Sequence, residues 1–287
     1  MVQPIVVGGP TASGKSAFAM QQAKERDGEI ICADSRQVFA KMRVGTAGPS
    51  DDDMKSVPHH GFHTLDPKET FDAGRFVTQT DAFVKEIFSR GKTPVLVGGT
   101  GLYLRAWRFG LSDVPAKDMK ARAQLLEDIK QLGLPALYKR LVEIDEESAK
   151  RILPNDEMRI VRALEIFLTT GKKPSTLRQT NFAGPPRVDA KWLLLWPDRI
   201  TLNARIEART HMMFAQGLVN EALALRTYLG AGHALLQTMG YEEALALADG
   251  NLTQREAIAL ATQRQRAYAK RQITWFKKEP WWQRIDS

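Results

Sequence analysis

Residues 3–16 read QPIVVGGPTASGKS. Ile5, Val6 and Val7 form a short apolar run stopped by Gly8 and Gly9, which predicts a buried strand. GPTASGKS at 9–16 then matches G-x-x-x-x-G-K-[ST], and KSAFAMQQAKER at 15–26 has helical composition. A glycine-rich turn between a strand and a helix is the setting in which this pattern, the P-loop, holds a phosphate. Gly9 and Gly14 allow the backbone to turn tightly through Pro10, Thr11, Ala12 and Ser13 and to aim its N–H groups inward. The helix start adds a partial positive charge, Lys15 adds a full one, and the Ser16 hydroxyl is a candidate ligand for Mg²⁺.

Outward from this loop the order repeats. EIICAD at 29–34 reads as a second strand, DAGRFVTQTDAFVKEIFSRG at 72–91 as a helix stopped by Gly91, and TPVLVGGTG at 93–101 as a third strand running into a glycine turn. Alternating β and α predicts a parallel sheet wrapped by helices, with ligands at the C-terminal strand ends. Loops 8–16, 34–37 and 98–101 therefore converge. From about 112 to 185 the pattern is helical, ending in a polar loop, KKPSTLRQTNFAGPPRVDAK; WLLLWP at 192–197 returns to the sheet, and 199–278 is mostly helix. The expected fold is α/β: a P-loop-type parallel sheet flanked by helices (1–111 and 186–287), interrupted by an inserted all-helical lobe (112–185).

Bulk properties narrow the classes. The chain has 287 residues, 43% hydrophobic and 26% charged, which suits a globular protein with a sizeable core. The net charge of +8 favours an anionic partner such as nucleic acid or a phosphorylated substrate. No apolar run reaches the roughly 18 residues of a membrane span. The first residues lack the pattern of a signal peptide, and the single cysteine, Cys32 in IICAD, reads as a small core residue. A cytoplasmic location is expected.

The loops also limit what the phosphate site does. P-loop NTPases hold Mg²⁺ with a second carboxylate at the end of a neighbouring strand. Here PVLV runs into Gly98, Gly99 and Thr100, with no acid. Asp34, at the end of EIICA, is a metal ligand, a base or a helix cap on this evidence alone. Whether a bound phosphate is hydrolysed, transferred or discarded stays open.

Six segments together are more specific: GPTASGKS (9–16), DSRQVF (34–39), VGGTGLYL (97–104), PNDEMRIVRALE (154–165), RIEARTHMM (205–213) and QRAYAKRQITWF (265–276). In content and order, over nearly the whole chain, they resemble the tRNA dimethylallyltransferases, also called tRNA isopentenyltransferases or the IPP transferase family. The resemblance implies transfer of a dimethylallyl group from dimethylallyl diphosphate to the exocyclic amine of the adenosine 3′-adjacent to the anticodon, in tRNAs reading codons that begin with U. Diphosphate is then discarded. By the same resemblance, Asp34 orients the amine and takes its proton, and Thr100 donates to the bridging oxygen of the leaving group. Lys15, Arg209 and Mg²⁺ placed by Ser16 hold the diphosphate. The tRNA side is implied at Asp34, Ser35, Arg36, Gln37 and Thr100, and on the lobe at Arg122, Met158, Arg159 and Arg162. Two positions depart from the family pattern: Phe39 where Tyr is usual, and Met158 where Gln is common.

A helical wheel over 264–278 gives a separate test. At about 100° per residue, Arg264, Arg266, Lys270, Arg271, Lys277 and Lys278 fill an arc of about 160°, with Tyr268, Ala269, Trp275 and Phe276 opposite. The expectation is one cationic face free of acids, suited to RNA phosphates, and one packing face. Arg159 and Arg162, three apart, can point the same way. The histidines of PHHGFH (58–63) read as structural, and the aromatics at 275–276 and 281–282 as core. The partners expected are the tRNA anticodon stem-loop and dimethylallyl diphosphate, met by a monomer with no membrane. Two rival readings share the loop: a small-molecule kinase using ATP, with the lobe as a lid, and a non-catalytic RNA-binding ATPase.

Overall fold

The computed structural model describes residues 3–111, 115, 117–178 and 185–286. In chain order the elements are β1 (Ile5–Gly8), α1 (Lys15–Glu25), β2 (Gly28–Cys32), α2 (Asp51–Ser56), β3 (His59–His60), α3 (Ala73–Ser89), β4 (Thr93–Gly98) and α4 (Gly101–Phe109). Helices α5 (Met119–Leu132), α6 (Leu134–Ile144), α7 (Glu146–Arg151), α8 (Glu157–Thr170) and α9 (Pro174–Arg178) follow. The chain then runs through β5 (Lys191–Trp196), α10 (Arg199–Ala215), α11 (Leu218–Leu229), a 3₁₀ turn (Ala234–Gln237), α12 (Tyr241–Ala248), α13 (Gln254–Phe276) and β6 (Gln283–Asp286).

The six strands form one sheet in the order β3-β2-β4-β1-β5-β6, and every pairing is parallel. The expected parallel sheet flanked by helices is therefore present. Alternate residues of the strands feed two cores. Ile5, Val7, Ile30, Cys32, Val95, Val97, Leu193 and Leu195 pack with α1, α11 and α12 on one face. Val6, Ile31, Leu96, Trp192 and Leu194 pack with Phe76 and Ile87 of α3, Trp107 of α4, and Trp282 on the other. Cys32 and the aromatics Phe276 and Trp282 are core residues, as read from the sequence. Several elements are not foreshadowed in the sequence reading: α2 is unforeseen, and α9 is a short helix within the stretch expected to be a polar loop. Strand β3 is two residues long, β6 lies at the exposed edge, and α4 begins at the glycine turn after β4.

The histidines at 59 and 60 form β3 and do structural work. Buried Glu29 of β2 accepts from His60 Nε2 at 2.6 Å and from Arg90 at 2.7 and 3.1 Å, which ties β3 and the end of α3 to the sheet. The sheet ends closest to the loops are crowded. A Cβ on Gly98 would lie 1.9 Å from the Ala33 carbonyl oxygen, so β2 and β4 close together just before their loops diverge.

The chain divides into two compact units, Met1–Trp107 with Val188–Ser287, and Arg108–Arg187. The second is helical throughout its described residues. Its core is Leu125, Leu137, Leu141, Ile160, Val161 and Leu164, with Ile129 and Tyr138 packed against it. Fully buried Glu165 on α8 accepts from Asp118 N–H at 3.0 Å, and Arg122 and Arg162 both reach its carboxylate. Residues 179–184 of the polar loop, and 112–114 and 116 at the start of the expected lobe, lie outside the described residues. Among the described residues no helix is long and apolar enough to cross a membrane.

The Gly98 contact gives a direct test. Gly98→Ala should cost about 3 kcal/mol in thermal or urea unfolding, because the new methyl meets rigid backbone. Gly232→Ala, with open space around its Cα, should stay within about 0.5 kcal/mol.

Candidate active site

The 9–16 loop leaves β1 and enters α1 through two left-handed residues, Ala12 at φ 61° and Gly14 at φ 88°. Gly14 caps α1 without a side-chain acceptor, and the first turn carries no acid. The free N–H groups of that turn thus face the loop's interior with nothing negative of their own beside them. Pro10 and Ser13 are buried, Thr11 is half-buried, and Ser16 is exposed. Lys15 Nζ donates to the Pro10 carbonyl at 3.3 Å. Burial pulls its pKa down to about 8, helped by the like charge of Arg209 and opposed by Asp34.

Arg209, on the third turn of α10, comes to the same loop. Its Nη2 donates to Thr11 Oγ1 and to Gln265 Oε1 at 2.7 Å. Its Nε is buried with no hydrogen-bond partner among the described residues. Burial lowers its pKa to about 10 against the attraction of Asp34, so it remains cationic at neutral pH. Arg205, one turn earlier, donates to the Ser13 carbonyl at 3.4 Å.

The second and third loops meet beside the first. Asp34 Oδ1 accepts from the N–H groups of Arg36 at 2.8 Å and Gln37 at 3.3 Å, the cap-like bonding foreseen as one alternative. Its position still borders a cavity. Thr100 Oγ1 accepts from Ser35 N–H at 3.1 Å, which joins the 98–101 turn to the 34–37 loop. Gln37 Nε2 donates to the Thr46 and Ala47 carbonyls at 2.9 and 3.0 Å, so it braces the next segment. That segment is pinned again by Glu221, which accepts from three successive N–H groups, Arg43, Val44 and Gly45, each at 2.9 Å.

These loops wall a cavity of about 350 Å³ whose lining includes Thr11, Asp34, Arg36, Arg209, Tyr268 and Arg271. Four arginines, Arg36, Arg209, Arg264 and Arg271, line it together with the Asp34 carboxylate and Thr11 of the 9–16 loop. Tyr268 is half-buried; its hydroxyl pKa is pushed up to about 12 by burial and by the Asp34 charge. Arg271 lies over the Tyr268 ring at 5.6 Å.

The cationic face of α13 differs from its expectation in two respects. Acids from neighbouring helices enter it: Arg264 pairs with Glu242 and Glu243 at 2.6 Å, and Arg266 pairs with Glu207 at 2.7 Å. A wheel of one helix is blind to its neighbours. The face also splits. Arg264, Tyr268 and Arg271 border the Asp34 cavity, whereas Arg266, Lys270 and Lys277 border a separate groove of about 780 Å³ with Trp196 and Arg199. Tyr268 is thus a cavity residue and not a packing one. On the helical unit, Arg159 and Met158 are exposed, with Arg159 paired to Asp156. Arg162 turns instead to Glu165 and to the Pro115 carbonyl at 2.6 Å, so it does not share Arg159's direction. Phe39 is buried and bridges to Leu65, where a hydroxyl would have no access to solvent.

The residue pattern assigns no role to Gln265 or Gln272, and the wheel places Tyr268 on the packing face. The available signal was two glutamines seven residues apart on the packing side of α13, where apolar residues are the norm. Both are buried.

An α/β protein with a parallel sheet whose strand-end loops, with α10 and α13, bring arginines and a carboxylate to one cavity is the class that the fold and site define. Comparison with known proteins narrows that class. The IPP transferase family model matches residues 37–279, and the isopentenyl transferase model matches 3–60. The tRNA dimethylallyltransferase of Anaeromyxobacter dehalogenans is 45% identical over 276 residues, covering 96% of this chain and 90% of that protein. The crystal structure of the full-length tRNA isopentenylpyrophosphate transferase from Bacillus halodurans superposes with a TM-score of 0.71 at 35% identity, covering 100% of this chain and 90% of that one. A eukaryotic dimethylallyltransferase acting on tRNA superposes with a TM-score of 0.85 at 28% identity, over 100% of this chain and 74% of that one. The chain belongs to the IPP transferase family.

The two cations make a checkable pair. Arg209→Gln removes the like charge that depresses Lys15, so the Lys15 pKa should rise above about 8. Titration of ¹³Cε-labelled lysines by NMR reads this directly.

Proposed function

We propose that this protein transfers a dimethylallyl group from dimethylallyl diphosphate to the exocyclic amine of the adenosine 3′-adjacent to the anticodon of tRNA, and releases diphosphate. One observation carries the reading. The cavity is lined by Arg209, whose buried Nε has no hydrogen-bond partner among the described residues, and by the carboxylate of Asp34. An anion and a proton donor can therefore occupy it together.

In this reading the bond from the allylic carbon to the diphosphate oxygen breaks as a new bond forms to the adenine nitrogen. Negative charge grows on the leaving group and positive charge on the allyl. The N–H groups at the start of α1, with Lys15, Arg209 and the Thr11–Ser16 turn, stabilise the leaving group. Thr100 donates to its bridging oxygen; its Oγ1 already accepts from Ser35 N–H, so its proton points elsewhere. Asp34 orients the amine through the carboxylate oxygen not tied to Arg36 and Gln37, and takes the proton the amine loses. The adenine leaves its stack to enter. Arg36, Arg264 and Arg271 at the cavity rim meet RNA phosphates. On the helical unit exposed Arg159 serves the same end, exposed Met158 beside it offers the RNA an apolar contact, and Arg122, paired with Glu165, adds positive charge.

Mg²⁺ fits this site only through a shared ligand set. Ser16 offers one exposed hydroxyl, and among the described residues no cluster of three or more His, Cys, Asp or Glu is arranged to hold a metal. The ion would be held by Ser16, diphosphate oxygens and water, in keeping with the preference of Mg²⁺ for phosphate and water oxygens. When bound it supplies neutralisation of the diphosphate charge.

The kinase alternative asks for a second strand-end carboxylate that β4 does not carry, and the relatives above are all named for prenyl transfer to tRNA.

Incubating unmodified tRNA with the protein, Mg²⁺ and dimethylallyl diphosphate, followed by nucleoside mass spectrometry, should show a dimethylallyl adduct on adenosine. Asp34→Asn keeps an acceptor for Arg36 and Gln37, so it should fold normally yet transfer about 10²–10⁴-fold more slowly. ATP turnover with a small acceptor, and no adduct, would replace this reading with the kinase.

A further inference from the structure

The 9–16 loop and the 98–101 turn, whose Thr100 is bonded to the Asp34 loop through Ser35, are remote in sequence, and one side chain touches both. Gln272 of α13 is buried at 6% exposure. Its Oε1 accepts from Thr11 N–H at 2.8 Å, and its Nε2 donates to the Gly99 carbonyl at 2.8 Å. On the first side, Thr11 Oγ1 also receives Arg209 Nη2. On the second, Gly99 leads into Thr100, which receives Ser35 N–H beside Asp34. Gly99 has no room for a side chain: a Cβ there would lie 2.4 Å from the Gln272 amide nitrogen. Two turns earlier on the same helix, Gln265 holds Arg209 at 2.7 Å and Thr210 at 3.1 Å. The helix thus holds the anion-binding loop directly once, and again through Arg209 of α10, and holds the Thr100 turn once.

We infer that Gln272 is a positioning residue for the transfer step. Its carboxamide sets the spacing between the 9–16 loop and the Thr100–Asp34 pair, and so between the allylic carbon and the incoming amine. This rests on the proposed function. The chemistry needs an amide at this position. Thr11 N–H requires an acceptor and the Gly99 carbonyl a donor, within one short planar group, and a carboxamide in one orientation supplies both. An ionised carboxylate lacks the donor, a protonated carboxyl restores it, and a thioether of similar length provides neither.

The test compares Q272M and Q272E with the unaltered protein. Single-turnover transfer to tRNA, the KM for dimethylallyl diphosphate, binding of inorganic diphosphate and thermal unfolding are measured for each. Q272M should transfer on the order of 100-fold more slowly, the scale of loss when reacting groups are misplaced. Its diphosphate affinity and KM should stay within about threefold, because the loop's own donors remain. For Q272E, the ionised carboxylate keeps the acceptor for Thr11 but lacks the donor for Gly99, so transfer should also slow, again with diphosphate affinity within about threefold. A Gln272 that only supports the fold predicts activity lost in step with folded protein; that result overturns the inference. So does Q272M transfer within about twofold of the unaltered rate. Absence of transfer by the unaltered protein would count against the proposed function itself, whereas an active protein indifferent to both substitutions would count against Gln272 alone.

Discussion

Two cations held out of water and close enough to repel one another are the constraint around which this site is built. Lys15 is pulled down to about 8 and Arg209 to about 10, in each case chiefly by burial. Asp34 is the one carboxylate that attracts both, and its Oδ1 already serves two backbone N–H groups. Two positive charges against one negative leave the pocket short of an anion. Removing an ion from water is costly unless it is paired. A multiply charged ligand such as diphosphate relieves that cost, and it relieves more as charge accumulates on it during bond cleavage. In the proposed reaction the same imbalance would favour the leaving group over the intact donor.

The rest of the molecule keeps that imbalance in place. The parallel sheet delivers the three loops to one edge, because each strand enters from the opposite side. Crowding at Gly98 brings β2 and β4 together, and α13 then crosses the loops with a row of buried amides where a helix of ordinary composition would have apolar residues. Those amides hold loops rather than filling volume. The segment after Asp34 is fixed in another manner, by three consecutive N–H groups on the Glu221 carboxylate. Rigid backing of this kind suits a reaction in which the nucleophile is a weakly basic aromatic amine that must meet a short-lived allylic cation.

Much of this was legible from residue order. The strand at 5–8, the glycine loop, the helix at 15–25 and the parallel sheet follow from local apolar runs and turn residues, which act over a few positions. So does the meeting of Asp34, Thr100 and Lys15, since topology alone sends those loops to one edge. What resisted reading was tertiary. The charges that neutralise Arg264 and Arg266 come from α12 and α10, tens of residues away. Arg162 has a buried partner, Glu165, that sits beside it in sequence yet shows its burial only in the folded helical unit. Tyr268 lies at the border of the packing arc, where a wheel assigns a side and the neighbouring loops decide it. Gln265 and Gln272 were visible as residues, but their purpose depends on which backbone groups they meet.

The most direct test of the central claim measures protons and not product. Inorganic diphosphate is titrated calorimetrically into the protein at pH 8.5, in buffers of different ionisation enthalpy, alongside Lys15→Arg. Lys15, with a pKa of about 8 when free, is largely neutral at that pH and becomes charged beside the anion. The unaltered protein should then take up as much as about three quarters of a proton more per diphosphate bound than Lys15→Arg, whose guanidinium stays charged throughout. Equal proton exchange by the two proteins would mean that Lys15 is not held short of an anion, and the account of this pocket as an unneutralised cationic site would fall.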